Sequence, residues 1–182
     1  MSIFKIYCDG GARSQVSDIY PVKFGSVSSI VHKDDIEIFQ INKGFDNVTN
    51  NQMELSGFIL PIFKLINTNE LQNNDELLIT SDSQYLLKGI EEWLPNWKKN
   101  GWKGSNKKII KNLELWQLIN KFLIRLEQLN IKINLEWVKG HNGHPMNEEC
   151  DRLCTQIISE LDSGTTPSNF NSLINGIIKV TP

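Results

Sequence analysis

The sequence predicts an α/β fold in which helices pack on a mixed β-sheet. Three β-rich segments open the 182-residue chain, and strand-like and helix-like segments alternate after them. An antiparallel meander followed by β-α units is typical of a mixed sheet. With 40% apolar residues, the chain can bury one substantial core. Its length favours a single domain with a short tail.

Five segments have the residue pattern of strands. The first, residues 3–8, ends at Asp9-Gly10-Gly11, where the glycines allow the backbone a sharp exit. Residues 24–31 and 36–41 flank the polar turn 32–35, and together these three segments predict an antiparallel meander. Two later strands are predicted at residues 77–80 and 131–138. The sheet therefore has five strands, of which the first three are antiparallel.

Four segments have helical periodicity: residues 53–66 after the capping residues 49–51, and residues 83–89, 113–129 and 146–161. Pro61 lies inside the first helix and should kink it, because proline has no amide donor and its ring clashes with the carbonyl four residues back. Residues 162–182 are rich in Ser, Thr, Asn and Gly, apart from the apolar stretch 173–180. We therefore assign the domain to residues 1–161 and a C-terminal tail to residues 162–182.

The net charge of −2 conceals a basic segment. Residues 93–113 contain six lysines and no acid, so this stretch has a charge of +6 and the rest of the chain sums to −8. Four of the five tryptophans lie in or beside it: Trp93, Trp97, Trp102 and Trp116. Clustered lysines interleaved with aromatic residues indicate a local surface for a polyanion, which the whole-chain charge does not reveal.

The sequence also limits the compartment. No apolar run approaches the ~18–20 residues needed to span a bilayer, and the N-terminus lacks the pattern of a secretory leader. The three cysteines, Cys8, Cys150 and Cys154, do not have the spacing of a zinc or redox motif. We expect three reduced, buried thiols and a cytoplasmic or equivalent reducing location, with no membrane partner.

Four acids lie where predicted strands end or near predicted helix starts: Asp9, Glu54, Asp82 and Asp151. Clustered carboxylates repel one another unless cations neutralise them, and oxygen ligands select Mg²⁺ or Mn²⁺ over zinc. Two such ions about 3.5–4 Å apart can promote in-line displacement at a phosphodiester. Each acid alone also suits a structural role, as a turn residue, a helix-start charge, an N-cap or an exposed helix residue. Spacing alone leaves both interpretations open.

Four motifs add specificity: residues 6–11 (IYCDGG), 49–55 (TNNQMEL), 79–85 (ITSDSQY) and 137–151 (WVKGHNGHPMNEECD). In order and spacing they resemble the motifs of type 1 ribonucleases H. The stretch from Trp93 to Trp116 resembles the basic protrusion of the bacterial branch of that family. The resemblance covers approximately residues 3–159 and places the protrusion at residues 93–113.

The resemblance implies a ribonuclease H-like fold with helices on both faces of the sheet. It implies an endonuclease that hydrolyses the RNA strand of RNA·DNA hybrids and leaves 5′-phosphate and 3′-hydroxyl ends. The family's metal ligands correspond to Asp9, Glu54, Asp82 and Asp151, which would hold two Mg²⁺ ions with substrate, with Mn²⁺ as a substitute. The mobile-loop histidine corresponds to His141, whose imidazole suits orientation of the attacking water or proton transfer. His144, beside Pro145, is expected to be structural.

The resemblance also implies substrate contacts. Amide side chains suit 2′-hydroxyls and base edges, and Asn50, Asn51 and Gln84 match the family's RNA-contacting positions. Thr49 and Asn112 match its DNA-phosphate pocket. The protrusion suits the DNA strand, through Trp93, Trp97, Trp102, Lys98, Lys99, Lys107 and Lys108. Capping by Asn50, and a scaffold role for Trp93, Trp97 and above all Trp116, are the alternative interpretations.

The chain departs from the family pattern in three places. Residues 12–23 lack the usual Gly/Pro-rich loop and its RNA-contacting Asn, for which Gln15 is a substitute. Gln52 stands where a basic residue is frequent in the family. A proline inside the first helix, Pro61, is unusual for the family. Two other functions share the fold: an integrase-like DNA-processing domain and a catalytically weak hybrid-binding module. The Gly-His-Asn-Gly-His loop and the protrusion disfavour the first, and the complete set of four acids disfavours the second. We expect an active enzyme that acts as a monomer.

Overall fold

A computed structural model describes residues 1–15 and 22–181, which form a five-stranded sheet with six α-helices. The strands run β1 (Ile3–Gln15), β2 (Val22–Lys33), β3 (Ile36–Asp46), β4 (Glu76–Ser81) and β5 (Lys132–Trp137). Their order in the sheet is β3-β2-β1-β4-β5. The first three strands are antiparallel, whereas β4 is parallel to β1 and β5 is parallel to β4. The predicted mixed sheet is confirmed.

The helices are α1 (Asn50–Asn67), α2 (Gln84–Lys88), α3 (Leu94–Lys99), α4 (Leu113–Gln128), α5 (Pro145–Asp162) and α6 (Phe170–Val180). A π-helical turn over Gly89–Trp93 joins α2 to α3. In the described residues, no helix is long and apolar enough to cross a membrane.

Strand β1 is longer than predicted. The sequence places its end at Cys8 with a sharp exit at the glycines, but β1 pairs with β2 without a break as far as Gln15. Gly10 instead permits close packing: a Cβ atom there would overlap the Met53 carbonyl and lie 2.8 Å from the Glu54 amide nitrogen. The glycine is therefore required by the approach of α1 rather than by a turn.

Helix α1 covers one face of the sheet and runs through Pro61 as a single 18-residue element. Pro61 cannot donate to the Gly57 carbonyl four residues back. The buried Ser29 hydroxyl on β2 donates to that carbonyl at 3.0 Å and replaces the missing bond. A side chain of the sheet thus donates the hydrogen bond that Pro61 cannot donate. The predicted kink of the helix stays a prediction.

Helix α5 covers the opposite face. Its side chains Ile157 and Leu161 lie directly over Gly44 of β3. The Ser26 hydroxyl of β2 donates to the Cys154 carbonyl at 3.0 Å, and the Cys154 thiol lies 3.6 Å from the Asp9 carbonyl oxygen. All three cysteines are free and buried, as predicted. Helices therefore pack on both faces, and α5 is tied to the strand that contains Asp9.

The predicted division at residue 161 differs from the structure, because the segment assigned as a tail includes α6 and packs on the core. Phe170, Ile174 and Ile177 of α6 are buried, and the Phe170 ring packs edge-on against Phe45 with centroids 5.3 Å apart. The Ser168 amide donates to the Gly44 carbonyl at 2.8 Å. The polar composition of residues 162–169 concealed an amphipathic helix whose partner surface, β3 and α1, is distant in sequence.

The variant Phe170→Ala tests whether α6 is an integral part of the domain. We expect a loss of about 3–5 kcal/mol in unfolding free energy, because the substitution removes a buried aromatic ring and leaves a cavity. Val180→Ala, at the exposed end of the same helix, is the matched control and should change stability by less than about 0.5 kcal/mol. Urea unfolding followed by circular dichroism measures both. Equal stabilities of the two variants would contradict integral packing of α6.

Candidate active site

The four predicted acids line one open cleft of about 660 Å³ at an edge of the sheet. Asp9 lies in β1 and Asp82 directly follows β4, and these two strands are parallel neighbours. The β1–β4 pairing ends at Tyr7 and Thr80, so Asp9 and Asp82 each lie two residues beyond the last pair and are brought side by side. Glu54 reaches the cleft from α1 and Asp151 from α5. The structure thus brings together acids from four separate elements.

Glu54 is held by two hydrogen bonds. Helix α1 begins at Asn50, so Glu54 lies in its second turn and not in the first turn as predicted. Its carboxylate accepts from the Asn50 amide at 2.7 Å and from the Ser83 hydroxyl at 2.8 Å. Ser83 also caps α2 by accepting from the Leu86 amide. One serine therefore ties a helix start to one of the four acids, a role that sequence analysis missed.

Asp82 is held by the last residue of β5 and by the segment that follows it. The Trp137 indole donates to the Asp82 carbonyl at 3.2 Å, and the Val138 amide donates to the Ser81 carbonyl at 3.1 Å. A Cβ atom on Gly140 would lie 2.6 Å from an Asp82 carboxylate oxygen. Only glycine at position 140 fits beside this carboxylate without displacing it. Trp137 and Gly140 belong to the Trp-Val-Lys-Gly-His motif, which was the available signal for both.

Asp151 lines the cleft, and His141 lies next to it. The His141 Nδ1 atom lies 3.7 Å from an Asp151 carboxylate oxygen, and the imidazole is 79% exposed. The backbone of His141 has a φ of +53°, a left-handed conformation at the tip of the loop. His144 caps α5, and its Nδ1 accepts from the Asn147 amide at 3.3 Å. The structural role expected for His144 is confirmed.

Burial and mutual repulsion raise the pKa of two of the acids. Burial is the main cause that raises the pKa of Asp9 to about 6, and the neighbouring Asp82, Asp151 and Glu54 carboxylates add to it, while the Gly10 amide opposes it. Burial also raises the pKa of Glu54, against the hydrogen bond from Ser83 and with a contribution from Asp82. The cleft therefore concentrates negative charge at a cost in free energy.

The donor set of the cleft fits a hard divalent cation. All four acids supply oxygen, and no thiol among the described cleft residues competes as an exposed ligand. In the described residues, no group of three His, Cys, Asp or Glu side chains is already arranged to hold one metal ion. The Glu54 carboxylate is hydrogen-bonded to Asn50 and Ser83. The convergence of four carboxylates in one cleft favours a cation, because a bound cation would relieve their mutual repulsion.

A second groove of about 800 Å³ lies beside the cleft and has the opposite chemistry. We call it the aromatic-lysine groove; among its lining residues are Asn51, Tyr85, Trp93, Trp97, Lys103, Lys108 and Lys111. The rings of Trp93 and Trp97 pack with centroids 5.7 Å apart, and Trp97 packs edge-on against Trp116 at 5.3 Å. Trp116 is fully buried, so its scaffold role is confirmed.

The first residues of α1 separate the two grooves. Asn50 lines the acidic cleft, whereas its neighbour Asn51 lines the aromatic-lysine groove. Thr49 caps this helix by accepting from the Gln52 amide, and Gln52 completes a capping box by accepting from the Thr49 amide at 2.8 Å. Gln52, which stands where the family often has a basic residue, therefore serves in helix capping.

Several other predicted contacts lie elsewhere. Gln84 lines a third, smaller pocket together with Trp137. The described residues that line the cleft and the aromatic-lysine groove do not include Thr49, Lys98, Lys99, Trp102, Lys107 or Asn112. Asn112 donates to the Tyr85 hydroxyl at 3.2 Å, and Trp102 packs against the core. Lys103 and Lys111, which the predicted set omitted, line the groove instead.

Residues 16–21 of the altered loop lie outside the described residues, and the substitution by Gln15 stays a prediction.

Comparison with known proteins agrees with this geometry. The RNase H family profile matches residues 2–159. The chain is 40% identical over 120 residues to the ribonuclease H of Pseudoalteromonas atlantica, a match that covers 66% of this chain and 71% of that protein. The chain belongs to the ribonuclease H family. The deciding observation is a family match that spans β1 to α5 and includes all four acids of the cleft.

Solved structures show the same fold. LC9-RNase H1, a type 1 RNase H, superposes with a TM-score of 0.61 at 23% identity, over 85% of this chain and 71% of that one. The PFV RNase H domain superposes with a TM-score of 0.62 at 22% identity, over 85% of this chain and 92% of that domain. The type 1, bacterial-type resemblance is confirmed.

Family membership establishes the activity. The protein is a ribonuclease H, an endonuclease that hydrolyses the RNA strand of RNA·DNA hybrids. Enzymes of this family depend on divalent metal ions, and their general mechanism uses two of them. Helix α6 lies beyond the matched residues 2–159.

The raised pKa of Asp9 predicts a dependence of stability on pH. A carboxyl whose pKa is higher in the folded state stabilises the fold below its unfolded pKa and loses that contribution as the pH rises toward about 6. In metal-free buffer, Asp9→Asn should therefore be more stable than the wild type at neutral pH, by about 2–3 kcal/mol. The difference should vanish near about pH 4. Urea unfolding in EDTA across this range measures it, and a difference independent of pH would contradict the assignment.

Proposed function

We propose that Asp9, Glu54, Asp82 and Asp151 of this ribonuclease H hold two Mg²⁺ ions, for which Mn²⁺ can substitute, and that these residues form the catalytic centre. The bound ions would activate the attacking water and stabilise the leaving oxygen. The observation on which this rests is the convergence of the four acids in one cleft where burial and repulsion raise the pKa of Asp9. The products are a 5′-phosphate and a 3′-hydroxyl.

The chain's own residues hold this centre in place. Ser83 and Asn50 orient the Glu54 carboxylate, and Gly140 leaves room for that of Asp82. His141 is the proton carrier of the proposal, because its exposed imidazole lies 3.7 Å from Asp151 on a loop at the rim of the cleft. A neutral imidazole there can accept a proton from the attacking water, or move one as the product leaves.

The two grooves are proposed to hold the two strands of the hybrid. The RNA strand lies in the acidic cleft, where its scissile phosphate meets the metal-binding residues. The DNA strand lies in the aromatic-lysine groove, where lysines neutralise phosphates and the rings of Trp93 and Trp97 pack against sugars. Because the first residues of α1 separate the grooves, Asn50 and Asn51 lie between the strands and suit contacts in the minor groove.

Gln84 extends the proposed RNA contacts. It begins α2, two residues after Asp82, and lines a small pocket with Trp137. An amide at this position can donate to and accept from a 2′-hydroxyl. The three free, buried cysteines suit a reducing compartment, and we propose that the enzyme acts in the cytoplasm as a monomer.

A substrate comparison tests the proposed function. Incubated with Mg²⁺, the protein should cleave the RNA strand of an end-labelled RNA·DNA hybrid and leave matched double-stranded RNA, double-stranded DNA and single-stranded RNA largely intact. Gel analysis of the products measures the preference. Main cleavage of any substrate other than the hybrid's RNA strand would overturn the proposed substrate.

Asp82→Asn is the control variant for this experiment. It is nearly isosteric but removes one ligand charge, so cleavage should fall by at least about a thousandfold, whereas hybrid binding measured by fluorescence anisotropy should persist. Because Asp82 lies between two secondary-structure elements, the fold should be retained, and circular dichroism checks this. An active Asp82→Asn protein would exclude Asp82 from the metal set.

The structure divides the protrusion lysines into two groups with different expected effects. Lys103, Lys108 and Lys111 line the aromatic-lysine groove, so each change to Ala should weaken hybrid binding and reduce the slope of log K against log salt by roughly 0.7–0.9. Lys98, Lys99 and Lys107 lie outside the lining and should give smaller changes. Lys179→Ala on α6 is the control. Slopes that match the control for all six lysines would make the protrusion merely a solvated surface.

A further inference from the structure

The acidic cleft continues well beyond the four acids. Past Asp9, its floor is the second half of β1, with Gly11, Ala12 and Arg13 among the lining residues. Its far wall is the C-terminal half of α5, where Thr155, Ile158, Ser159 and Asp162 line it. The proposed catalytic centre uses only one end of this cleft, and the other end is open to a longer section of the substrate.

Arg13 lies on the same face of β1 as Asp9. Side chains along a strand alternate between the two faces, so positions 9, 11 and 13 share one of them. The β1–β2 pairing is continuous from Asp9 to Arg13, so no bulge interrupts this alternation. Four residues at about 3.3 Å each place the Arg13 backbone about 13 Å along the strand from Asp9. Arg13 is therefore a few nucleotide steps from the reacting phosphate.

The charge of Arg13 differs from that of its surroundings. Among the described residues that line the cleft, Arg13 is the one basic side chain, whereas Asp9, Glu54, Asp82, Asp151 and Asp162 are acidic. Arg13 is exposed, and the ion pairs found in the described part of the chain do not include it. A guanidinium on a strand, without an ion pair to any described residue, is a suitable bidentate partner for a phosphate.

We propose that Arg13 binds a phosphodiester of the RNA strand that flanks the scissile bond, and so fixes the position of that strand along the cleft. The proposal rests on the proposed function, since it requires the RNA strand to lie in the acidic cleft. A polyanion entering a cleft of five acids needs cationic contact away from the metal ligands, and Arg13 supplies it at the open end. This contact is located on β1 itself, in the described part of the altered stretch 12–23.

The test separates binding from catalysis by using Asp82→Asn protein throughout. Adding Arg13→Ala should weaken hybrid binding about five- to tenfold and reduce the salt slope by roughly 0.7–0.9, the amount expected for one phosphate contact. Arg13→Lys should recover the slope, because the charge is kept, but only part of the affinity. Arg125→Ala, an exposed arginine on α4, is the matched control and should bind as the parent does. Fluorescence anisotropy across a range of salt concentrations measures all four proteins.

A second arm locates the contact. In a series of hybrids, one RNA-strand phosphodiester at a time is replaced by an uncharged methylphosphonate. One methylphosphonate near the scissile bond should weaken hybrid binding by the parent protein, which retains Arg13. The same methylphosphonate should not affect hybrid binding by the Arg13→Ala protein, because the substitution has already removed that contact. If both proteins respond to the same linkages equally, or if Arg13→Ala matches Arg125→Ala in affinity and slope, the proposal is overturned.

The two proposals fail in different ways. Failure of the proposed function appears as the absence of hybrid cleavage by the wild-type protein in Mg²⁺. Failure of the Arg13 proposal appears as unchanged hybrid binding in the anisotropy experiment, which requires no cleavage. Steady-state kinetics of Arg13→Ala in the otherwise wild-type chain give a further readout. A flanking contact should raise KM about five- to tenfold and leave kcat within about twofold of the wild type.

Discussion

The close approach of helix α1 to strand β1 at Gly10 sets the geometry on which the catalytic cleft depends. A side chain at position 10 would overlap the Met53 carbonyl, and Gly57 lies similarly close over Cys8. With these two glycines, the helix lies directly on the centre of the sheet and the Glu54 carboxylate reaches the Ser83 hydroxyl after β4. A larger residue at position 10 would move Glu54 away from both Asp9 and Asp82, so the local packing determines whether the site exists.

The cleft places like charges together against their repulsion, and the surrounding structure has to resist it. Burial raises the pKa of Asp9 and Glu54, which shows that the folded state penalises their ionised forms. The opposing contributions come from the hydrophobic core between the sheet and α1 and from polar contacts that tie α5 to β1 and β2. The four acids are held together by a scaffold that gains its stability elsewhere, which is common for functional sites.

Charge is segregated between the two neighbouring grooves. The acidic cleft and the aromatic-lysine groove lie on either side of the first residues of α1, and their charges largely cancel in the whole-chain total of −2. A hybrid duplex has two chemically different strands, and a pair of grooves with different chemistry suits that asymmetry. Arg13 is then the one basic side chain among the described residues of the acidic cleft, and it lies away from the proposed metal ligands.

The sequence by itself determined the features that depend on local pattern. The five strands, the four acids, a structural role for His144 and the buried thiols could all be predicted, because periodicity and motif spacing act over a few residues. Only the tertiary structure decided the rest. The continuation of β1 to Gln15 depends on pairing with β2, and the burial of α6 depends on a surface formed by β3 and α1. Which lysines of the protrusion line the aromatic-lysine groove, namely Lys103, Lys108 and Lys111, depends on how the protrusion folds against α1 and α2. Each of these arises from contacts between residues far apart in the chain, which no local pattern encodes.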